Sequence, residues 1–354
     1  MEKVTVCASS AKYDVLIGGG LLKDAGKLSA AALPGAKTAV IVSDDNVFPL
    51  YGKNLEASLK SAGFDTLRFV FRHGETGKSL AVYGRLLEKM CRRHVTRSDA
   101  VFALGGGVAG DLAGFAAATY QRGIRFVQLP TTLLAAVDSS VGGKTGIDLK
   151  AGKNQAGCFH QPSLVICDTD TLSTLPAREY GCGCAEVIKY AVIGDEGFFE
   201  ELEKTPVSAQ YGRVIEKCVK AKSEYVRLDE FDKGVRMMLN LGHTIGHAAE
   251  MLSGYSLLHG EAVAMGMAAI SRSAARRGIC GISVPEAIIR LLEKYSLPIS
   301  VPFDAESVIK AAMSDKKSDG SSLRLIVPER IGKCVIETAD KRELEKIITN
   351  GDLK

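Results

Sequence analysis

An α/β domain over residues 1–176 followed by a mainly α-helical domain over residues 177–354 is the fold class the sequence predicts. Short β-rich runs alternate with amphipathic helical stretches through the first half, a pattern that implies a parallel sheet. That alternation stops after "TLPAREYG" (174–181), and helical periodicity continues to the C-terminus. A chain of 354 residues is also long for one core and comfortable for two.

The strands are expected at "KTAVIVSD" (37–44), "DTLRFVF" (65–71), "DAVFALGGG" (99–107), "RFVQLPTT" (125–132) and "SLVICD" (163–168). "SLAVYGRLLEKMCRR" (79–93) is a helix between them. Beyond Pro176, helices are expected at 183–192, 209–228, 235–252, 260–277, 285–295 and 304–315, with one late strand pair at "SLRLIVPE" and "GKCVIETA". There is no low-complexity linker and no internal repeat.

Composition narrows the classes. Hydrophobic residues at 46% and charged residues at 24% are ordinary for a soluble enzyme. No apolar run approaches the roughly 18–20 residues that cross a bilayer. The opening "MEKVTVCASSAKYDV" has no basic region followed by an apolar one, so no signal peptide is expected. A net charge of +4 with dispersed basic residues argues against a nucleic-acid binder. Nine cysteines, an odd number without a paired C-x-x-C, point to reduced thiols in the cytoplasm. Cys182 and Cys184 form a lone C-x-C, read as small residues in a tight segment in preference to a metal site.

"ALGGGVAGD" (103–111) fits G-x-G-x-x-G through Gly105, Gly107 and Gly110, after a predicted strand and opening a helix. Backbone amides at such a turn cradle a pyrophosphate. No acidic residue closes the next strand, so a standard dinucleotide unit is not expected, although a nucleotide-phosphate loop is. "VGGKTG" resembles the end of a Walker A loop, but Asp138 stands where its first glycine belongs. Asp44 in "SDDNV" is read either as an acceptor for ribose hydroxyls or as an Asx turn.

In "LNLGHTIGHAAE" (239–250), His243 and His247 are four residues apart and share a helix face. On a continuous helix Arg236, Asn240, His243 and His247 span an arc of about 60° at roughly 100° per residue. A buried helix with one narrow polar stripe needs partners for each group, which marks a site. A catalytic zinc takes three protein ligands and keeps one position open. The further candidates are His259 in "SLLHGEAV" and a carboxylate; Glu186 is available, although Glu186 and Lys189 also read as a structural ion pair.

"RGIRFVQLPTTLLAAVDSSVGGKTGIDLKAGKNQAGCFHQP", "TLPAREYGCGCAEVIKY", "RMMLNLGHTIGHAAE" and "LHGEAVAMGM" together resemble the 3-dehydroquinate synthase family of sugar phosphate cyclases. The resemblance runs from "YDVLIGGGLL" to "DKKSDG" and "RLIVPERIG", essentially the whole chain. It implies an N-terminal nucleotide-binding α/β domain and a helical metal-binding domain. It also implies NAD, a divalent metal (zinc or cobalt), and a homodimer. The metal ligands it implies are Glu186, His243 and His259, with His247 beside the substrate. The implied NAD positions are Asp44, Asn46, Glu75, Lys78, Gly106, Gly107, Val108, Gly110, Asp111, Thr131, Thr132 and Thr174, with Asp138, Lys144 and Lys153 shared with the chemistry. Those for substrate are Arg122, Asn154, Lys189, Lys222, Arg236, Asn240, His247 and a lysine of "DKK", Lys316 or Lys317. Arg122 is the one expected to reach across the dimer. One departure is "DEFDKGVR" against the family's usual "DExExGxR", which puts Asp232 where a glutamate is usual.

The implied substrate, 3-deoxy-arabino-heptulosonate 7-phosphate, carries a carboxylate and a phosphate, the latter with about −1.5 to −2 charge. Lysines and bidentate arginines are the natural grips for both. The implied reaction oxidises carbon 5, eliminates phosphate, re-reduces carbon 5 and closes a carbocycle by an intramolecular aldol step. Two rivals remain: another cyclase such as 2-deoxy-scyllo-inosose synthase, and a metal-dependent NAD polyol dehydrogenase.

Overall fold

The computed structural model describes residues 1–315, 322–351 and 353. The first elements are β1 (Glu2–Cys7), β2 (Lys12–Gly18), α1 (Ala25–Ala32), β3 (Thr38–Asp44), α2 (Lys53–Ser61), β4 (Asp65–Phe71) and α3 (Leu80–Arg92). Next come β5 (Ala100–Gly105), α4 (Gly107–Thr119), β6 (Arg125–Pro130), β7 (Lys144–Leu149), β8 (Gly152–Phe159) and β9 (Leu164–Asp168). The helical part runs α5 (Ala177–Gly194), α6 (Glu196–Lys204), α7 (Tyr211–Leu228), α8 (His243–Leu252), α9 (His259–Arg276), α10 (Ser283–Lys294) and α11 (Ala305–Asp315). It closes with the hairpin β10 (Ser322–Arg330) and β11 (Lys333–Asp340) and with α12 (Lys341–Asn350).

The chain forms two compact units: residues 1–175 with 211–231, and residues 176–210 with 232–354. A single break near Pro176 therefore misses one feature. Helix α7 returns to the first unit and packs on β1 and β2, burying Val214, Ile215, Cys218, Val219 and Val226. Its periodicity announces an amphipathic helix but not which core accepts the apolar face.

The first unit is built on a seven-stranded sheet in the order β1-β2-β9-β6-β5-β3-β4, antiparallel at β1–β2 and parallel elsewhere. Every residue of β5 is buried, because helices cover both faces of the sheet. One face packs Leu55, Leu59 and Phe64 against Ile41 and Phe102; the other packs Leu86, Met90 and Leu112 against Val42 and Val101. Ser43 pairs with Leu104 and Gly105 with Pro130, so Asp44, the glycine loop and Thr131 lie side by side at the carboxyl edge. That edge is where open α/β sheets bind ligands.

In the second unit α5 is buried from Gly181 to Ile193. The helix expected over 235–252 is interrupted. A 3-10 turn over Val235–Asn240 is followed by Gly242 at φ +79°, and α8 starts only at His243. The break follows from close packing: a Cβ at Gly242 would lie 2.6 Å from the Val263 carbonyl oxygen of α9. His243 and His247 share a face of α8, but Arg236 and Asn240 approach on a separate segment, so the continuous 60° stripe does not exist. Cys182 and Cys184 are buried on α5, and burial pushes both thiols up to about 12. Cys182 lies directly against Gly260 of α9, where any side chain would collide with it.

Candidate active site

At the carboxyl edge of the first unit, β5 ends in Gly105–Gly106 and α4 begins at Gly107. Gly105 has φ +156°, and a Cβ there would meet Ala109 at 2.7 Å. A Cβ on Gly110 would meet the Gln128 side chain at 2.8 Å, so this glycine seats α4 on β6. Gly106, Gly107 and Val108 are partly open to solvent at the helix N-terminus, where unpaired amides favour an anion. The Thr131 hydroxyl beside this loop is buried with no hydrogen-bond partner among the described residues. Thr132 accepts from the Ala135 amide at 3.1 Å. Of the two readings left open by its sequence, Asp44 forms the Asx turn. Its Oδ1 accepts from the amides of Asn46 and Val47, both at 2.9 Å, while Oδ2 lies toward Gly105. Thr174 is tied to the Tyr51 hydroxyl at 2.5 Å.

Beside the loop, a charge network centres on buried Lys78. Its ammonium donates to Asp111 Oδ2 at 2.9 Å and Asn154 Oδ1 at 2.6 Å, with Glu75 at 3.5 Å and Asp148 at 3.9 Å. Lys153 reaches Glu75 at 3.5 Å. Burial disfavours the Lys78 ammonium, but Asp111 and Glu75 outweigh it and hold its pKa above the usual lysine value. Burial likewise raises Glu75, yet Lys78 and Lys153 bring it below the ordinary carboxylate value. The geometry is set by the β7–β8 hairpin, where Asn154 takes φ +54° and donates its amide to Asp148 at 2.8 Å. Asp148 went unmarked in the sequence because the hairpin has few apolar positions to reveal its strands.

Elsewhere in this unit, Lys222 of α7 donates to the Asp138 carbonyl at 2.7 Å and to its carboxylate. Lys144 and Arg122 are exposed. Arg122 sits in a turn where Gln121, Arg122 and Gly123 have φ of +50°, +67° and +115°. Such a run of left-handed residues persists only where the surroundings impose it.

In the second unit, Glu186, His243 and His259 come from three separate helices, yet one donor atom of each lies within 4.8 Å of the others. Glu186 Oε1 is 3.8 Å from His243 Nε2 and 3.5 Å from His259 Nε2. Neither carboxylate oxygen has a well-formed hydrogen bond, although Lys189 forms an ion pair with Oε2. Two ligands at about 2.1 Å in tetrahedral geometry stand about 3.4 Å apart. One carboxylate and two imidazoles at this spacing therefore fit a catalytic zinc or cobalt centre, and their donor types suit it. Burial, Lys189 and the neighbouring histidines hold His243 well below its ordinary pKa, ready to ligate as the neutral base. Burial opposes a charged His259, but Glu186 and Glu250 outweigh it and raise the pKa to about 10. The His247 ring centroid is 5.4 Å from that of His243 and 5.8 Å from that of His259. Arg236 is buried, while Asn240 and Asp232 are half-buried. Lys316 and Lys317 lie outside the described residues. Glu250 is the buried acid at this site that sequence reasoning passed over.

Residues 68–182 match the family model described as 3-dehydroquinate synthase N-terminal, and residues 183–318 match 3-dehydroquinate synthase C-terminal. The chain belongs to the 3-dehydroquinate synthase family. A 3-dehydroquinate synthase from Caulobacter vibrioides is 44% identical, with 98% of each chain covered. Among solved structures, 2-deoxy-scyllo-inosose synthase complexed with carbaglucose-6-phosphate, NAD+ and Co2+ is similar. Its TM-score is 0.87 at 26% identity, over 98% of this chain and 99% of that one. The 2-epi-5-epi-valiolone synthase from Streptomyces hygroscopicus, with NAD+ and Zn2+ bound, also has a TM-score of 0.87, at 29% identity over 96% and 97% of the two chains. The two 3-dehydroquinate synthase models meet inside α5, a few residues after the first segment of the first unit ends at Leu175.

Proposed function

We propose that the chain is a 3-dehydroquinate synthase, converting 3-deoxy-D-arabino-heptulosonate 7-phosphate to 3-dehydroquinate and phosphate within the shikimate route to aromatic amino acids. The observation that carries this reading is the Glu186–His243–His259 donor set in a chain 44% identical, almost end to end, to a relative of that name. Glu186, His243 and His259 would hold zinc or cobalt. The loop from Gly106 to Asp111, with Asp44, Asn46, Thr131, Thr132 and Thr174, would hold NAD. Both cofactors fit the residues present: a catalytic donor set in one unit, and an open helix N-terminus beside an unsatisfied threonine hydroxyl in the other.

When bound, NAD takes up and returns the carbon 5 hydride while the metal polarises the carbon 5 oxygen as a Lewis acid. The ketone at carbon 5 acidifies carbon 6, and phosphate leaves with its own oxygen accepting the carbon 6 proton. Lys144, Lys153 and Lys189 would grip the phosphate, with Asn154 as donor beside Lys153. Arg236, Lys222 and Asn240 would orient the carboxylate end, with Lys316 completing the set. Lys222 enters this role already fixed by Asp138. His247 would donate to the phosphate from the α8 face, and Asp232 would stand in for the family glutamate on a shorter arm.

Exposed Arg122 in its strained turn supports an assembly in which it reaches a second copy, making the protein a homodimer. None of the nine cysteines forms a disulfide, in keeping with a reducing cytoplasm, and no helix among the described residues is long and apolar enough to cross a membrane. A glucose 6-phosphate cyclase is the less favoured reading, because that substrate has no carboxylate for buried Arg236. Phosphate release from the heptulosonate phosphate is expected to stop on full chelation and to return on adding zinc or cobalt. Release that continues at full rate in the stripped protein would remove the metal from the account.

A further inference from the structure

We propose that Glu250 is a positioning residue for the metal centre: it holds the His259 ring through Nδ1, so that Nε2 alone faces Glu186. The inference rests on the metal reading above. Glu250 is 3% exposed, on α8 one turn beyond His247. His243, His247 and Glu250 occupy positions i, i+4 and i+7, one face of the helix. His259 is the first residue of α9, reached across the turn at Ser253–Leu258. Its Nδ1 is 3.4 Å from Glu250 Oε2, and its Nε2 is 3.5 Å from Glu186 Oε1. Two buried carboxylates thus flank opposite edges of one imidazole.

A second arrangement competes. His247, Glu250 and His259 also bring donor atoms within 4.8 Å and have the composition of another metal site. Both groupings require His259. A neutral imidazole offers one lone pair, with a proton on the other nitrogen. If Nε2 belongs to the Glu186 set, Nδ1 carries hydrogen, and the group facing it must accept. Glu250 does so, as carboxylates commonly do behind metal-bound histidines, fixing tautomer and ring plane. Without it, the ring at the start of α9 is free to rotate about its χ angles, and each binding event must order it.

The test uses the full chain and zinc alone, titrated against a competing chelator, with zinc content per chain measured at saturation. Wild type, Glu250→Ala and Glu250→Gln are expected to take one zinc each. Glu250→Ala should bind it about 10–100-fold more weakly. Glu250→Gln, whose amide oxygen still accepts from Nδ1–H, should recover most of that loss, and excess zinc should restore turnover to the alanine variant. In the zinc-loaded chain, the His259 Nδ1–H proton resonance should move in Glu250→Gln, which keeps the side-chain volume and reads the contact even if the alanine variant does not fold. Unchanged affinity in a folded Glu250→Ala chain, an unmoved resonance, or two zinc ions in wild type of which Glu250→Ala loses one would each overturn the proposal. A wild-type chain that binds no zinc defeats the metal reading itself; a wild type that binds while the variants are unchanged defeats only the role of Glu250.

Discussion

Replacing His259 with alanine is expected to lower turnover by about three orders of magnitude and to abolish stoichiometric zinc binding. The magnitude follows from losing a Lewis acid worth several kcal/mol, at roughly 1.4 kcal/mol per tenfold in rate. The position leaves little room for substitution by a neighbour, because Glu186 is fixed on buried α5 and His243 on the first turn of α8. His247→Ala is the informative comparison. It shares the helix face with His243 but stands outside the Glu186 set, so that variant should keep its zinc while turnover falls about 100-fold, as for loss of a general acid–base group. Metal analysis beside steady-state rates separates the two. Zinc retained by His259→Ala at near wild-type activity would place the ligands elsewhere.

Lys78→Met is expected to destabilise the first unit by about 3 kcal/mol, measured by denaturant unfolding. The side chain is 5% exposed and its ammonium is the positive centre among Asp111, Glu75 and Asp148. Removing one partner of a buried ion pair typically costs roughly 3–5 kcal/mol, because the remaining charge is uncompensated. The lower end applies here, since Asp111, Asp148 and Glu75 are 23%, 18% and 35% exposed and solvent screens them. The double variant Lys78→Met with Asp111→Asn should recover a good part of the loss, because removing both charges avoids the orphaned carboxylate. A single-variant loss below about 1 kcal/mol would mean that Lys78 is a surface lysine in energetic terms.

Strands β3, β4, β5, β6 and β9 were legible because sheets covered on both faces read as near-continuous apolar runs, as in "VFALG" before the glycine loop, whereas β1 and β2 were not expected. The β7–β8 hairpin was not, since its second strand has no buried residue to set a period of two. Gly242 escaped for a different reason. A lone glycine is tolerated within a helix, and only the approach of α9 converts this one into a break. The same limit governs the site. Spacing announces that His243 and His247 are neighbours, because one helix carries both. It cannot bring in Glu186 and His259 from α5 and α9, or show that Glu250 stands behind His259; those depend on how three helices cross. The Lys78 network is hidden likewise, its partners lying between 3 and 76 residues away along the chain.

Following phosphate, NADH absorbance and carbon products together, with the purified chain, its metal, catalytic NAD and 3-deoxy-D-arabino-heptulosonate 7-phosphate, tests the central claim most directly. Phosphate and 3-dehydroquinate are expected in equal amounts, with no net NADH over many turnovers. NADH accumulating mole for mole with substrate consumed, and phosphate retained in the product, would make the protein a dehydrogenase and contradict it.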